Sequence, residues 1–251
     1  MQNSTGFTYD QIVELCVRVR AAHRADTRWS WPPILGLFRS VVVTLTYLRR
    51  NRVQAEIAEA FDVSQPTISR TVTALVPVLG AVLSDWVPVA EDLERGTGYV
   101  VDGTLLPCWS WAGQRQLFSG KHRTTGLNVQ LVCDLNGRLV WISDPVDGCR
   151  HDSVALARSG VLETLDPATW MGDKGYIGTG VITPIRKPPS RDLSDSEKKF
   201  NTGINRIRYV IEQTIAHLKT WRILHTDYRR PLHTFRTTIS TVIALHFYRG
   251  A

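Results

Sequence analysis

The sequence predicts a two-part α/β protein, with an all-α module over residues 1–94 and a mixed α/β domain over residues 95–251. Three observations carry that expectation. Apolar residues recur at helical spacing through the first third of the chain. From Tyr99 onward the pattern changes to three strands, a helix, a further strand and a late long helix. Two short strands of that second part, Tyr99-Val-Val-Asp-Gly-Thr104 and Thr169-Trp-Met-Gly-Asp-Lys-Gly-Tyr176, each deliver a single aspartate into a glycine-flanked stretch.

A chain of 251 residues holds one sizeable core plus a small module. Its 43% hydrophobic and 21% charged content is that of a globular protein rather than a disordered one. Cys16, Cys108, Cys133 and Cys149 have no zinc-type spacing and read as free thiols of a reducing compartment. The longest apolar stretch, Ile34 to Leu48, is broken by Arg39 and is too short to span a bilayer. The polar N-terminus lacks the apolar core of a signal peptide, so no membrane partner is expected and the expected location is the cytoplasm. The net charge of +7 is uneven along the chain: Lys/Arg against Asp/Glu run 9 to 10 over residues 1–94, 7 to 7 over 95–170 and 14 to 6 over 171–251. Such a one-sided excess suits a polyanion, nucleic acid first.

In the helical module, Thr8 and Gln11 have capping-box spacing ahead of Ile12, Val13, Cys16 and Val19 on one face. Pro32 and Pro33 suit the start of a second helix running to about Arg50. Residues 52–76 then resemble a helix-turn-helix. Ile57, Ala58 and Phe61 form the inner face of its first helix, and Ile68, Val72 and Leu75 that of its second. Asp62-Val63-Ser64 makes the turn, Ser64 can cap the second helix, and Pro66 falls in its first turn, where a missing N–H is harmless. Gln65, Thr67, Ser69 and Arg70 are expected on the exposed side, with amide, hydroxyl and guanidinium groups suited to base edges and phosphates in a major groove. The stretch from Pro77 to Arg95 reads as a helix end and a connection.

In the second domain, Leu127 to Asp134 and Arg138 to Asp144 read as strands joined at Asn136-Gly137, a two-residue hairpin signal. His151-Asp-Ser-Val-Ala-Leu-Ala opens a helix, Asp173 follows a short strand, and Val181 to Ile185 fits another strand. A long helix is expected over about Asn201 to Leu224, with Ile204, Ile207, Ile211, Ile215 and Leu218 facing the core and Arg208 and Glu212 sharing a face. This order, with acids at the first strand, the fourth strand and the late helix, is the layout of an RNase H-like fold. There the first and fourth strands lie side by side and their acids meet a carboxylate from the packed helix. Three converging carboxylates repel one another unless they hold divalent cations, and oxygen donors favour Mg²⁺ or Mn²⁺.

Val101-Asp-Gly-Thr104, Gly172-Asp-Lys-Gly-Tyr176 and the helix with Arg208, Glu212 and Lys219 resemble the DDE-superfamily endonucleases, the bacterial insertion-sequence transposases related to Harbinger enzymes. Thr125-Gly-Leu-Asn-Val-Gln130 and Val146-Asp-Gly-Cys-Arg-His-Asp-Ser153 also look like family segments. One position departs from the family helix signature: Asn205 stands where a tyrosine is usual. The resemblance implies Asp102, Asp173 and Glu212 as catalytic ligands of two Mg²⁺ or Mn²⁺ ions, with Asp152 the rival for the second acid and a helix cap its plainer role. It also implies a transposase that cleaves phosphodiesters at terminal inverted repeats and transfers the 3′-hydroxyl into target DNA. Double-stranded DNA is the implied partner, and a homodimer or larger synaptic complex, nucleoid-associated when bound, is the implied assembly.

Arg208 and Lys219 are expected to contact phosphates, with Arg208 alternatively orienting Glu212. Lys121, His122 and Arg123 form either a phosphate or target-DNA contact or a solvated loop. Lys174 can balance the acids, and Trp109 and Trp111 are core residues or a stacking platform for unpaired bases. Two other readings share these residues: a DNA-binding protein that has lost the chemistry, and a nuclease that cuts without strand transfer.

Overall fold

The computed structural model describes residues 2–25, 30–109 and 113–250. Its first helices are α1 (Gln2–Thr5), α2 (Tyr9–Ala25), α3 (Gly36–Arg50), α4 (Gln54–Phe61) and α5 (Gln65–Val82). There follow β1 (Val100–Pro107), β2 (Phe118–Ser119), β3 (Thr124–Cys133), β4 (Leu139–Ile142), β5 (Val146–Asp147), α6 (Asp152–Arg158), α7 (Val161–Thr164), α8 (Asp195–Leu218) and α9 (Phe235–Gly250). The chain forms two compact units, one of residues 1–87 together with 219–251, the other of residues 88–218.

The helical unit follows its sequence closely at its start. Thr8 and Gln11 make the expected reciprocal cap: the Gln11 N–H donates to Thr8 Oγ1 at 3.2 Å, and the Thr8 N–H to Gln11 Oε1 at 3.0 Å. Ile12, Leu15 and Val19 of α2 are buried, while Val13 is 37% exposed and Cys16 half-buried, so the inner face is turned slightly from the expected one. In the helix-turn-helix, Ile57, Ala58, Ile68, Val72 and Leu75 are all buried, and Asp62 closes α4 in the left-handed region at φ 52°. The second helix does not stop at Pro77 but continues to Val82. Packing explains this: Val78 and Leu79 are buried, and α9 lies against α5, with Thr241 Oγ1 donating to the Val76 carbonyl at 2.9 Å.

The sheet unit is built on β1, antiparallel to β3 along its full length from Val100↔Cys133 to Pro107↔Gly126. β4, β5 and β2 also pair with β3. Beyond the other edge of β1, Met171 pairs in parallel with Val100 and Ile182 in parallel with Met171. The expected fourth and fifth strands are thus reduced to one bridged residue each: Val101 N–H to Met171 O and Met171 N–H to Tyr99 O, both at 2.8 Å, hold the first, and Ile182 N–H to Trp170 O at 2.8 Å and Gly172 N–H to Ile182 O at 3.0 Å hold the second. Tyr99, Val101, Val132, Trp141, Leu156, Val161, Trp170 and Tyr176 share one core cluster. α8 packs against β1 and β3.

Three local expectations are corrected. The hairpin loop has three residues between the paired Asp134 and Arg138, because Asp134 Oδ1 accepts the N–H groups of Asn136 and Arg138 and Gly137 turns at φ 81°. α8 covers 195–218 rather than 201–224 because Ser194 and Glu197 form a capping box. On α8, Thr214 is buried while Ile207 is 39% exposed, so the core stripe is narrower than the isoleucine spacing suggests.

The last segment of the chain belongs with the first. The expected boundary at residue 94 becomes 87/88, and residues 219–251, assigned from sequence to the second domain, pack in the helical unit. Phe235, Ile239, Val242 and Leu245 of α9 are buried there, and Phe7 rings meet Trp221 and Tyr248. Charge is redistributed with them. The helical unit carries 15 Lys/Arg against 8 Asp/Glu, and the sheet unit 15 against 15. The excess of 7 therefore lies on the helical unit. Among the described residues no single helix is long and apolar enough to cross a membrane.

Candidate active site and nucleic-acid interface

The parallel register sets the site. Val100 pairs with Met171, and Asp102 and Asp173 each lie two residues further on, so they stand side by side where the two segments leave their pairing. On β1 the side chains alternate: Val101 enters the core cluster, and Asp102 points the other way toward α8. Arg208 Nη2 donates to Asp102 Oδ2 at 3.4 Å, both side chains being about one-seventh exposed. The Gly103 N–H donates to Asp102 Oδ1 at 2.8 Å. Burial pushes the Asp102 carboxyl up to about 6; Arg208 and the Gly103 N–H oppose the rise, and Asp173 and Asp152 add to it. Asp173 caps the short turn Lys174–Tyr176, accepting the Gly175 N–H at 2.7 Å.

The glycines beside these acids have specific work. A Cβ on Gly103 would lie 2.2 Å from Asp152 Oδ1, and one on Gly172 would lie 2.8 Å from the Tyr176 ring. The missing Cβ atoms let Asp152 reach the β1 backbone and the Tyr176 ring pack against Gly172.

Asp152 is not the helix cap expected of it. His151 occupies the N-cap position, and the Asp152 carboxylate turns to the sheet. It accepts Asn128 Nδ2 at 2.9 Å and Lys121 Nζ at 3.0 Å. Gln130 Nε2 donates to Asn128 Oδ1 at 3.0 Å, and the buried Tyr176 hydroxyl donates to Gln130 Oε1. Burial alone would raise the Asp152 pKa, but Asn128 and Lys121 outweigh it and hold the carboxyl below its ordinary value. Burial lowers that of Lys121, yet Asp152, Asp173 and Asp102 more than offset this. The Lys121 ammonium is therefore in the field of all three aspartates. Asn128, Gln130 and Tyr176 were not singled out from sequence as site residues. Their signal was present: two amides two apart in an otherwise apolar strand share one face and need partners when buried.

The remaining candidates are placed less centrally. Glu212 is exposed on α8, one turn past Arg208, and is not brought to the Asp102–Asp173 pair. Among the described residues no three His, Cys, Asp or Glu converge as a metal-binding group. Lys219 follows the end of α8 and falls in the helical unit, so it is not a helix-borne partner of Glu212. His122 and Arg123 are exposed in the turn before β3, Arg123 at φ 52°. Lys174 is exposed beside Asp173. Trp109 is 56% exposed and is not core, and Trp111 lies outside the described residues.

The chemistry of this donor set fits a divalent cation. Two adjacent carboxylates, one buried with its pKa raised, are met by a long contact to the Arg208 guanidinium, two backbone N–H groups and the field of Lys121, which leaves oxygen lone pairs for a cation. The Arg208 Nε is buried without a partner, an orphan donor that a phosphate oxygen would satisfy.

On the helical unit, Gln65 and Arg70 are exposed on α5 and Ser69 is half-buried. Gln65 Nε2 donates to Gln54 Oε1 at 2.6 Å. Thr67 departs from expectation: it is buried, its hydroxyl 3.0 Å from Ser64 Oγ, because it follows the Ile68–Val72 face inward.

A recognition-type helix and a paired-acid sheet in one chain define a DNA-binding enzyme of nuclease type. The chain belongs to the DDE superfamily endonucleases, whose family model matches residues 101–246; the model described as the helix-turn-helix of DDE superfamily endonuclease matches residues 34–85. Two provisionally named transposases are similar to it. That of insertion sequence element IS112 from Streptomyces albus G is 28% identical over 205 residues, covering 81% of this chain and 75% of the relative. That of insertion sequence element IS702 from Microchaete diplosiphon is 26% identical over 254 residues, covering 97% and 91%. The names of both relatives agree with the family match of this chain. No solved structure matches it.

Proposed function

We propose that the sheet unit is an RNase H-like nuclease that cleaves phosphodiesters at the terminal inverted repeats of its element and joins the freed 3′-hydroxyl to target DNA. The observation that carries this reading is the parallel register of Val100 and Met171, which puts Asp102 and Asp173 next to each other. The strand order β4–β3–β1–Met171–Ile182, antiparallel then parallel, supports the fold assignment.

Asp102 and Asp173 would hold divalent ions, Mg²⁺ or Mn²⁺; Glu212, the third carboxylate that the family resemblance implies, stands exposed on α8 one turn past Arg208 and would have to join them when the ions bind. Bound there, such ions would supply activation of a water or 3′-hydroxyl and neutralisation of charge on the phosphodiester. The chain's own groups do the positioning. Arg208 offers its unpartnered Nε and its remaining N–H donors to a phosphate oxygen. Lys121, held by Asp152, which Asn128 in turn positions, brings a second cation to the same anion. Tyr176 and Gln130 orient Asn128, which holds Asp152 in place. The helix-turn-helix reads the DNA ends through Gln65, Ser69 and Arg70. Two ends need two active sites, so the working form is a dimer or larger complex, acting in the cytoplasm on the nucleoid.

The test is cleavage of a supercoiled plasmid carrying the element's ends in the presence of Mg²⁺. Asp102→Asn and Asp173→Asn should abolish cutting while leaving duplex binding unchanged, and Glu212→Gln should match them. Near wild-type cutting by either aspartate variant would overturn the site. Wild-type cutting by the glutamate variant alone would remove Glu212 from it. Nicked product without joined product would establish a nuclease in place of a transposase.

A further inference from the structure

The helix-turn-helix lacks the cations that a duplex requires. Residues 52–76 carry Arg52 and Arg70 against Glu56, Glu59 and Asp62, and Arg52 already pairs with Glu56 at 3.4 Å. Most contacts that fix a protein on DNA are to phosphates, and they are what makes binding salt-dependent. The fold brings those cations from elsewhere. Residues 219–251 carry six Lys/Arg against one Asp and pack within the helical unit.

Two of these arginines are anchored at the two ends of the helix-turn-helix. Arg230 Nη2 donates to Thr73 Oγ1 at 2.8 Å; Thr73 is exposed on α5, about one turn beyond Arg70. Arg229 Nη2 donates to the Asn51 carbonyl at 3.0 Å, in the turn that leads into α4. Asn51 adopts φ 47°, and its Nδ2 donates to Thr226 Oγ1 at 2.6 Å and to the Asp227 carbonyl at 3.3 Å, so segment and turn are clasped together. Neither guanidinium has a carboxylate within ion-pair distance among the described residues. Each uses one N–H of its fork on the anchor and keeps the others for a further acceptor.

We propose that Arg229 and Arg230 bind phosphates of the DNA duplex on the flanks of the groove entered by α5, making the DNA-reading surface a composite of the helix-turn-helix and the C-terminal segment. This rests on the assignment of α5 as the DNA-reading helix. The recognition helix supplies the base edges' partners, and the returning segment supplies the sequence-independent grip. A guanidinium already held by Thr73 or Asn51 loses little further freedom on meeting a phosphate.

The experiment uses the full chain, short duplexes of the element's terminal sequence and of a scrambled sequence, and a salt series followed by fluorescence anisotropy. Arg229→Gln and Arg230→Gln should each weaken binding to both duplexes by the same several-fold factor and flatten the dependence of log K on log salt by about 1. Arg229→Lys and Arg230→Lys should keep the slope, since they keep the charge while changing the anchor. An Arg70→Gln variant should instead reduce the preference for the terminal duplex. A full wild-type slope in the Arg229→Gln/Arg230→Gln double variant overturns the proposal. Equal loss of slope in the Lys and Gln variants also overturns it, because the arginines would then be acting as structural ties. If the double Gln variant keeps the slope while Arg70→Gln loses end preference, only this inference falls. If the wild-type chain binds neither duplex, the DNA-reading assignment of α5 falls with it.

Discussion

Asp102 is held in a charge state that its own surroundings oppose. Its carboxyl is pushed from 3.8 up to about 6, by burial first and then by Asp173 and Asp152 against the pull of Arg208. A folded-state pKa above the unfolded value means that the group's stabilising contribution is full below the unfolded pKa and is lost as pH rises through the folded one. In metal-free protein that loss spans the range from about 4 to about 6, and the penalty persists at neutral pH. Asp102→Asn, which removes the charge and nearly keeps the shape, should therefore stabilise the metal-free chain near neutral pH by about 1–3 kcal/mol. Thermal melts in a chelator at acid and neutral pH check this: the gain should be present at neutral pH and vanish toward pH of about 4. A variant less stable than wild type at neutral pH would contradict the buried-charge account. The sheet thus gives up stability at the point where the proposed cation would bind, which is the usual relation between strain and function at a site.

At the scale of elements, the structure turns on where helices begin and what they cover. α8 starts at Asp195 because Ser194 Oγ accepts the Glu197 N–H at 3.2 Å while Glu197 Oε2 accepts the Ser194 N–H at 2.7 Å, and Arg191 adds a paired contact to Glu197. Ser194→Ala should cost about 1 kcal/mol and fray the first turn. Hydrogen exchange should show faster exchange over residues 195–199 with unchanged protection at Ile211 and Leu218, which are buried. Uniform loss of protection along α8 would mean that the cap sets the whole helix rather than its first turn. The active-site side of the same helix follows from position alone. Arg208 lies one turn after the buried Ile204 and just before the buried Ile211, so it is carried onto the sheet; Glu212, one turn further on, is exposed.

At the scale of the molecule, the chain crosses from the helical unit to the sheet unit and back. α9 buries Phe235, Ile239, Val242 and Leu245 in the helical unit and lies against α5, so the DNA-reading helix depends on residues at the far end of the sequence. Truncation after Leu218 should therefore unfold the helix-turn-helix and abolish duplex binding. Circular dichroism should show helix lost beyond α9 itself, and exchange protection of residues 65–82 should disappear. Retention of that protection would show that α5 is stable without α9. Removal of so large an apolar face exceeds what a domain of ordinary stability tolerates.

The sequence by itself determined what local chemistry can specify. The Thr8–Gln11 cap, the buried faces of α4 and α5 and the glycine-flanked Asp102 and Asp173 all follow from spacing and residue type. Each depends on neighbours within a turn or a strand. Only the tertiary structure decided the rest, because the partners are far apart in the chain. It fixed the parallel register that joins Asp102 to Asp173, and the turning of Asp152 from an expected cap toward Lys121 and Asn128. It also carried α5 through Pro77 against α9, and it placed the chain's whole charge excess on the unit that reads DNA. Local pattern settles which surfaces must be buried; only the folded chain settles against what.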